Sequence, residues 1–377
     1  MRTYRILHIF GKMDRGGAEM RTLDLMEKLS NEKQFLFDFC VLSGQSGELD
    51  AHIRSLGGEV HYLKLNFAFA NQFRRLLRTN KYDVIHSHVH LFSGYLLKLA
   101  AQEKIAVRIC HLHTTGQLNG FSIRKMIQNR VMIFWLKKYS TNLLAVSVGA
   151  QEAFLRQAPI FENDLRLKLL YDAVNPEHFE NLETFSVTDL NLSTAKPANP
   201  LIVHVGRTDP VKNHSRLFEI FHLISAKKPS AQLFLVGKTD HSRKKELTEK
   251  IKNLGLEDKV HFLGTRSDVL KILAGAKLMI FPSLWEGLPG AVLEAACLGI
   301  PVLSSDLPGS RELAKYFPQI EILSLDQTND VWKEQAIKIL DTGKQDQIRS
   351  LQILKASPFN IDLCLKVLKN IWSQSIQ

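Results

Sequence analysis

Cysteine is scarce in this chain of 377 residues: Cys40, Cys110, Cys297 and Cys364 stand far apart and form no Cys-x-x-Cys pair. That excludes a disulfide scaffold and a thiolate metal site, and the four read as reduced core residues of a cytosolic protein. Proline is missing from the first part altogether, since all twelve prolines lie at or after Pro159. No apolar run approaches the ~20 residues that a membrane-spanning helix needs. The opening from Met1 to Phe10 reads as a short strand leading into a glycine loop, not as a secretory leader. Four motifs are also absent. Without GxxxxGK[ST] or GxSxG, a P-loop NTPase or an α/β-hydrolase is disfavoured. GxGxxG, the dinucleotide fingerprint, does not occur. DxD is missing too, and with it the usual acidic clamp for a divalent cation on a nucleotide sugar.

What is present is a globular composition, 45% hydrophobic and 23% charged, with a net charge of +11. The excess is local. From Val60 to Ala145 there are thirteen Lys or Arg against two acids, Asp83 and Glu103, a difference of eleven. Such a surface attracts phosphates, whether on a lipid, a nucleic acid or a charged substrate. A solubilising face is the blander alternative.

Strand-like and helix-like segments alternate throughout, which predicts an α/β protein with parallel sheets. Strands are expected at Tyr4–Phe10, Phe35–Leu42, Val60–Leu65, Asp83–His88, Ala106–His111, Leu143–Ser147 and Leu167–Leu170. The pattern lapses from about Asn175 to Pro200 and then restarts, with strands at Leu201–Val205, Gln232–Val236, Val260–Leu263, Leu278–Phe281, Pro301–Ser304 and Ile320–Leu323. The reading is a basic first domain over 1–180, a linker over 181–200 and a second domain over 201–357. A last helix within 358–377 docks back on the first domain in this reading. Two such units leave a cleft between them, the default place for a ligand.

Three loops could do chemistry. Gly206-Arg207-Thr208-Asp209-Pro210-Val211-Lys212-Asn213 follows the first strand of the second unit. Arg207 can grip a phosphate through two parallel hydrogen bonds, Lys212 adds a point charge, and Asn213 is placed to cap the next helix. Together they suit a diphosphate that must depart. Trp285-Glu286-Gly287-Leu288-Pro289-Gly290 and the following Glu294 put two carboxylates around a turn and a helix start. A carboxylate accepts two hydroxyls, as on a sugar diol. The pair could instead be the acid and nucleophile of a glycosidase, although the diphosphate-type loop favours diol recognition. In the first unit, Gly16-Gly17 opens a helix and lets the backbone approach a ligand.

Histidines cluster at His86-Ser87-His88-Val89-His90 and at His111-Leu112-His113, both at predicted carboxyl ends of strands. Period-two alternation explains the spacing, metal binding is conceivable, and His113 is the preferred contact for a sugar or acceptor. Two segments could meet a membrane surface. Asn71–Thr79 sets Phe73, Leu76 and Leu77 beside Arg74, Arg75 and Arg78. Phe121–Tyr139 sets Ile123, Ile127, Val131, Phe134 and Trp135 among Arg124, Lys125, Arg130, Lys137 and Lys138. For the apolar stripe itself a core-facing helix is the favoured reading.

Taken together these motifs resemble a retaining glycosyltransferase of the large glycogen-synthase-like family 4, of the bacterial polysaccharide-biosynthesis type. The resemblance spans nearly the whole chain and is strongest from Leu201 to Glu312. It rests on Glu286-x7-Glu294 with Pro282-Ser283 before and Gly299-x-Pro301 after, and on Gly206-Arg207-x4-Lys212-Asn213. Asp306-Leu-Pro-Gly309-Ser-Arg-Glu312, Gly16-Gly17-Ala18-Glu19 and His113 add to it. Leu288-Pro289 stands where the family often has Phe-Gly. The resemblance implies the GT-B fold, two Rossmann-like doubly wound parallel-sheet domains facing a cleft. It implies that Arg207 and Lys212 hold the donor diphosphate, Glu294 the ribose and Glu286 the sugar hydroxyls. Gly264 to Arg266 would meet the base, Gly16 and Gly17 the acceptor side, and Gly287 and Gly290 belong to the donor loop. It implies a UDP- or GDP-sugar donor carrying a hexose or N-acetylhexosamine, no bound metal and no other cofactor.

The expected protein is a cytoplasmic transferase that works on a saccharide or lipid-linked acceptor for cell-surface polysaccharide. It would be peripheral at the inner membrane face through the basic 60–145 region, with no nucleic acid partner. Rival readings are a nucleotide-sugar epimerase of the same fold and a non-catalytic basic module that binds lipid or nucleic acid.

Overall fold

The computed structural model of the chain describes residues 2–113, 122–180, 182, 200–343 and 346–374. Two compact units divide it, Met1–Asn175 with Pro358–Gln377, and Pro176–Ser357.

The first unit is built on β1 (Tyr4–Phe10), β2 (Phe35–Val41), β3 (Val60–Tyr62), β4 (Val84–Ser87), β5 (Val107–Leu112), β6 (Asn142–Ala145) and β7 (Leu167–Leu169). Between them run α1 (Gly17–Leu29), α2 (Asp50–Ser55), α3 (Phe69–Asn80), α4 (Ser93–Gln102), α5 (Ile123–Tyr139) and α6 (Val148–Gln157). The strands are near-continuous apolar runs because both faces of a parallel sheet are covered. Ile6, Leu7, Ile9, Val84, Ile85 and Ile109 accordingly lose all contact with solvent. The sheet order is β3-β2-β1-β4-β5-β6-β7, so the winding reverses between β1 and β4. Every pairing is parallel.

The second unit repeats the plan. Its strands are β8 (Leu201–Val205), β9 (Gln232–Val236), β10 (Val260–Gly264), β11 (Leu278–Phe281), β12 (Val302–Ser305) and β13 (Ile320–Leu323). Its helices are α7 (His214–Lys227), α8 (His241–Asn253), α9 (Val269–Gly275), α10 (Gly290–Cys297), α11 (Pro308–Ala314), α12 (Asn329–Thr342) and α13 (Gln347–Ala356). The order β10-β9-β8-β11-β12-β13 reverses between β8 and β11. Open doubly wound sheets bind ligands at such reversals, outside the carboxyl ends of the strands.

The last helix, α14 (Ile361–Trp372), belongs to the first unit. Its Ile361, Leu365, Leu368, Ile371 and Trp372 are buried in the core formed by β1, β2 and α1. Residue 180 is not where the units part: the division falls after Asn175 and again after Ser357. The reason is that the turn Pro176–Phe179 is held by α13, where the Gln347 amide donates to the Phe179 carbonyl at 3.0 Å. Lys355 also pairs with Glu180 at 2.8 Å. Of the expected linker, only 182 and 200 lie among the described residues.

The expected strands appear with ends shifted by a few residues, and among the helices α11 and α13 carry the weaker local signals. α11 begins Pro-Gly-Ser, a poor helix opening by propensity that is nonetheless compatible with Pro at the first turn. α13 is started by the Asp346 carboxylate, which accepts from the Ile348 amide at 2.9 Å.

The two candidate membrane helices part company. On α3, Phe73 and Leu77 are buried, while Arg78 pairs with Glu103 at 2.6 Å and Arg74 donates to Gln102. Its apolar face is core. On α5 the outcome is the reverse of the core-facing expectation: Ile123, Ile127 and Phe134 are 75%, 55% and 58% exposed, and Leu136 alone is buried. The cause is how α5 meets α4. A side chain at Gly94 of α4 would start 2.3 Å from the Met132 carbonyl oxygen, so the α5 backbone lies directly against that glycine. A narrow, close contact leaves the wider apolar stripe in solvent.

Candidate functional site

At the reversal of the second sheet, the loops after β8 and β11 lie side by side. The Leu284 amide donates to the Val211 carbonyl at 2.8 Å, tying the Gly206–Asn213 loop to the loop that carries Glu286. The β8 loop is also joined to the β9 loop, since the Thr208 amide donates to the Lys238 carbonyl at 3.1 Å. Glycine is required at that junction. Gly237 has φ +145°, and a side chain on it would meet the Gly206 carbonyl oxygen at 2.2 Å.

Lys212 and Glu286 meet here. Lys212 Nζ lies 2.6 Å from Glu286 Oε1, each side chain only 17% exposed, and the ammonium sits 5.0 Å above the Phe281 ring. A side chain on Gly206 would press on the Lys212 stem at 3.1 Å, so this glycine leaves the lysine its path across the loop. Below the loop His204 and His214 are buried with ring centroids 4.8 Å apart. His204 Nδ1 faces the Ile280 carbonyl at 2.9 Å. Burial, with Arg243 and Lys212 nearby, pulls His214 down to about 4, so both rings stay neutral near pH 7 and add no charge to the loop.

Arg207 is 62% exposed and pairs with Asp209 at 2.9 Å. It stands on the same loop as Lys212 but is not drawn into the Lys212–Glu286 contact. Glu294 is half-buried on α10, in its second turn, and Gly290 opens that helix with nothing within 4 Å of where a side chain would start. Gly287 is buried, and its carbonyl oxygen would lie 2.2 Å from a side chain on Gly309. Gly309 on α11 therefore allows that helix to lock the Glu286 loop from behind. The Asp306–Glu312 segment is a visible motif, but the role of its glycine depends on the fold.

Gly264 ends β10 with φ +67°, and its carbonyl accepts from the Gly237 amide at 2.9 Å. Arg266 is engaged by Asp268 through two hydrogen bonds of 2.7 and 2.6 Å, which raises the guanidinium pKa and lowers that of the carboxylate. Asn213 corrects an expectation. It occupies the position before α7, but its side chain makes no capping bond, because φ is +55° and its backbone has turned left-handed. Its carbonyl accepts from the Arg216 and Leu217 amides instead.

Gly16, Gly17 and His113 belong to the first unit. Gly16 precedes α1 in an extended conformation at φ −118°, so the backbone there needs no glycine. The space in which a Gly16 side chain would start is taken by the Glu19 carboxylate at 2.3 Å, and Gly17 has nothing within 4 Å.

His113 stands at the end of β5 in a group of five imidazoles. His88 Nδ1 and His113 Nε2 are 2.8 Å apart, His8 Nδ1 and His88 Nε2 3.1 Å, and His86 Nε2 and His111 Nδ1 3.2 Å. Parallel pairing explains the convergence, since β1 and β4 place His8 against His86. Alternation along β4 and β5 then brings His88 and His111 to the same face. Burial pulls His8 down to about 3, and His86, His88 and His111 well below 6.5. Asp172 reaches within 3.7 Å of His113 Nδ1. Nothing in the sequence tied Asp172 to this group, because only the packing of the β7 loop brings it there.

Two doubly wound parallel domains, one with a cationic loop against a carboxylate loop at its reversal, define an open α/β frame with a candidate ligand site. Residues 15–176 match the family model described as Glycosyltransferase Family 4, and residues 191–347 the one described as Glycosyl transferases group 1. The chain belongs to the family 4 glycosyltransferases and is a glycosyltransferase of that type. It is 29% identical over 371 residues, 98% of both chains, to the capsular polysaccharide biosynthesis glycosyltransferase CapH of Staphylococcus aureus. It is 26% identical, over 79% of this chain and 78% of the other, to the UDP-Gal:alpha-D-GlcNAc-diphosphoundecaprenol alpha-1,3-galactosyltransferase of Escherichia coli. The crystal structure of Anabaena HepE in complex with UDP superposes with a TM-score of 0.76 at 19% identity, over 99% of this chain and 100% of that one. That likeness shows the fold, a GT-B arrangement of two parallel-sheet domains. Among the described residues, no helix is long and apolar enough to cross a membrane.

Proposed function

We propose that this glycosyltransferase moves a hexose or N-acetylhexosamine from a UDP- or GDP-sugar to a saccharide or lipid-linked acceptor in cell-surface polysaccharide synthesis. Transfer retains anomeric configuration and uses no bound metal on the donor. The observation that carries this reading is the Lys212–Glu286 contact at 2.6 Å, a phosphate-binding cation beside a hydroxyl-binding carboxylate. When the donor enters, its diphosphate takes over Lys212 and frees Glu286 for the sugar hydroxyls. Arg207, exposed on the same loop, turns from Asp209 to the phosphates. Glu294 takes the ribose diol, and the backbone from Gly264 to Arg266 meets the base. Two cations replace the charge that a divalent ion would bring, in keeping with the missing DxD. The departing diphosphate is then stabilised by groups already in place, the usual largest contribution to such catalysis.

His113 contacts the transferred sugar, and the acceptor lies near Gly16 and Gly17. The donor base draws support from HepE, solved with UDP, and the acceptor from the two relatives, one named for capsular polysaccharide and one for a diphosphoundecaprenol-linked sugar. The exposed apolar stripe of α5, with Arg124, Lys125 and Arg130 beside it, rests on the anionic inner face of the membrane. Such an enzyme is cytoplasmic and peripheral.

The deciding experiment incubates the protein with UDP- and GDP-sugars and a lipid extract, and follows released nucleoside diphosphate. Release should require acceptor, persist in EDTA and give a product whose anomeric proton signal matches the donor's configuration. Isomerised donor without acceptor would turn the reading to an epimerase, and an inverted product would end the claim of retention.

A further inference from the structure

We propose that the free half of α5 seats the lipid of the acceptor, which is therefore a sugar carried on a phosphate-linked hydrocarbon chain. This deepens the proposed function and rests on that reading's placing of the acceptor in the first unit.

The geometry starts from Gly94. It is the second residue of α4, which begins just past the carboxyl end of β4, and the α5 backbone lies against it at Met132. α5 crosses back from the end of β5 to the start of β6, and those strands are parallel, so the helix runs against them. Everything in α5 before Met132 therefore stands beyond the carboxyl edge of the sheet. That part is Ile123–Val131, about 13 Å of helix at about 1.5 Å per residue. All of its residues except Asn129 are exposed. The second half holds the helix down, with Leu136 buried and Trp135 packed on Tyr95 at 5.7 Å. Ligands of open α/β sheets bind outside this same edge.

The free half has the chemistry of a lipid phosphate site. Ile123, Met126, Ile127 and Val131 share one face, at spacings of three and four residues. Arg130 stands inside that face, because it follows Met126 by four positions and Ile127 by three. Arg124, Lys125 and Arg130 have no carboxylate partner among the described residues, whereas Lys137 at the far end pairs with Asp164 at 2.7 Å. No acidic residue occurs between Glu103 and Glu152. A cation set within an apolar face, with no counter-ion, calls for an anion at the head of a hydrocarbon chain. A free saccharide supplies neither part. A bilayer would meet such a stripe anywhere on the surface. Its place at the ligand edge is what suits a lipid that delivers its own sugar.

The test uses the full chain and farnesyl diphosphate, kept below its micelle concentration and followed by equilibrium dialysis. One saturable equivalent is expected, with farnesol, which lacks the phosphates, about 10-fold weaker or worse. Ile127→Ser and Arg130→Gln should each weaken binding about 10-fold, while Lys212→Ala, in the donor loop, should leave it unchanged. Both α5 side chains are exposed, so the variants should fold, and far-UV circular dichroism checks it. Catalysis gives a second reading. With lipid extract dispersed in detergent, where no bilayer is present, the two α5 variants should need about 10-fold more extract for half-maximal release of nucleoside diphosphate, at unchanged kcat. No saturable binding, binding that survives both α5 variants, or binding lost with Lys212→Ala would each overturn the proposal. So would loss of vesicle binding in the α5 variants with half-saturation in detergent unchanged, which would leave α5 to the bilayer alone. Failure of the wild-type protein to release nucleoside diphosphate from any donor would end the proposed function instead, and dialysis would still decide the lipid site.

Discussion

The two domains share a winding order and differ in what they place at its reversal. In the second, the loops after the two central strands bring opposite charges together, Lys212 against Glu286. In the first, the equivalent strands bring neutral rings together, with His8 on β1, His86 on β4 and His88 just after it in one group. The backbone thus determines where side chains converge, and the residues at the strand ends determine what convergence does. One reversal gathers opposite charges. The other offers lone pairs and weakly bound protons.

Acidification separates the two domains most. Buried histidines in the first are held neutral, His8 down to about 3 and its neighbours well below 6.5. The unfolded chain takes up these protons below pH 6.5 and the native state does not. Stability is therefore complete above pH 6.5 and lost as pH falls toward 3, by about 1.4 kcal/mol per pH unit for each ring. The second domain has fewer such rings, His204 and His214 chief among them, and its slope should be shallower. Trp135 and Trp372 report on the first domain and Trp285 and Trp332 on the second. Unfolding free energies from urea titrations at pH 7 and pH 5, read from two-tryptophan variants, should fall several kcal/mol further in the first, on the order of 2 kcal/mol per additional neutral ring. Equal slopes would break the contrast.

Lys212→Ala and Glu286→Ala strike the charged reversal alone. Each should lower kcat/KM by about 10² to 10³, on the order of 3–4 kcal/mol, and leave both urea transitions nearly in place. The double variant should lose much less than the product of the two, because each group holds the other. Full additivity in a double-mutant cycle would show that the contact is incidental.

Gly94→Val tests the first domain without touching either reversal. Its side chain would start 2.3 Å from the Met132 carbonyl, so α5 must move away from α4. The first transition should lose about 1–3 kcal/mol, as overpacked sites do, with the second unchanged. The smallest effect on stability should come from Phe134→Ser on the exposed stripe of α5, within about 0.5 kcal/mol. Its co-sedimentation with anionic vesicles at low salt should nevertheless fall several-fold. Unchanged binding would remove α5 from the membrane reading.

The alternation of apolar runs made both sheets legible, since parallel strands buried on both faces leave a strong signal. The Glu286 and Lys212 loops were legible as well, because glycine, proline and charge at strand ends carry local information. What escaped depends on contacts distant in sequence. The exposure of α5 follows from Gly94, some thirty residues earlier, and the position of the Glu286 loop from Gly309 on a helix with a weak opening. Asn213 has the right identity for a cap and the wrong backbone angle, which no composition rule reveals. The histidine group was visible as two runs, but His8 and Asp172 joined it only through strand order.

The place of α14 has a consequence for synthesis on the ribosome. Chains emerge from the amino end at about 5–20 residues per second, and domains usually fold in that order. Here Ile361, Leu365, Leu368 and Trp372 fill the core around Ile6, Phe35 and Phe37. The first domain to be translated therefore remains without part of its interior until the whole of the second has been made. The later domain can mature first, while the earlier one waits in an open, chaperone-accessible form for its closing helix.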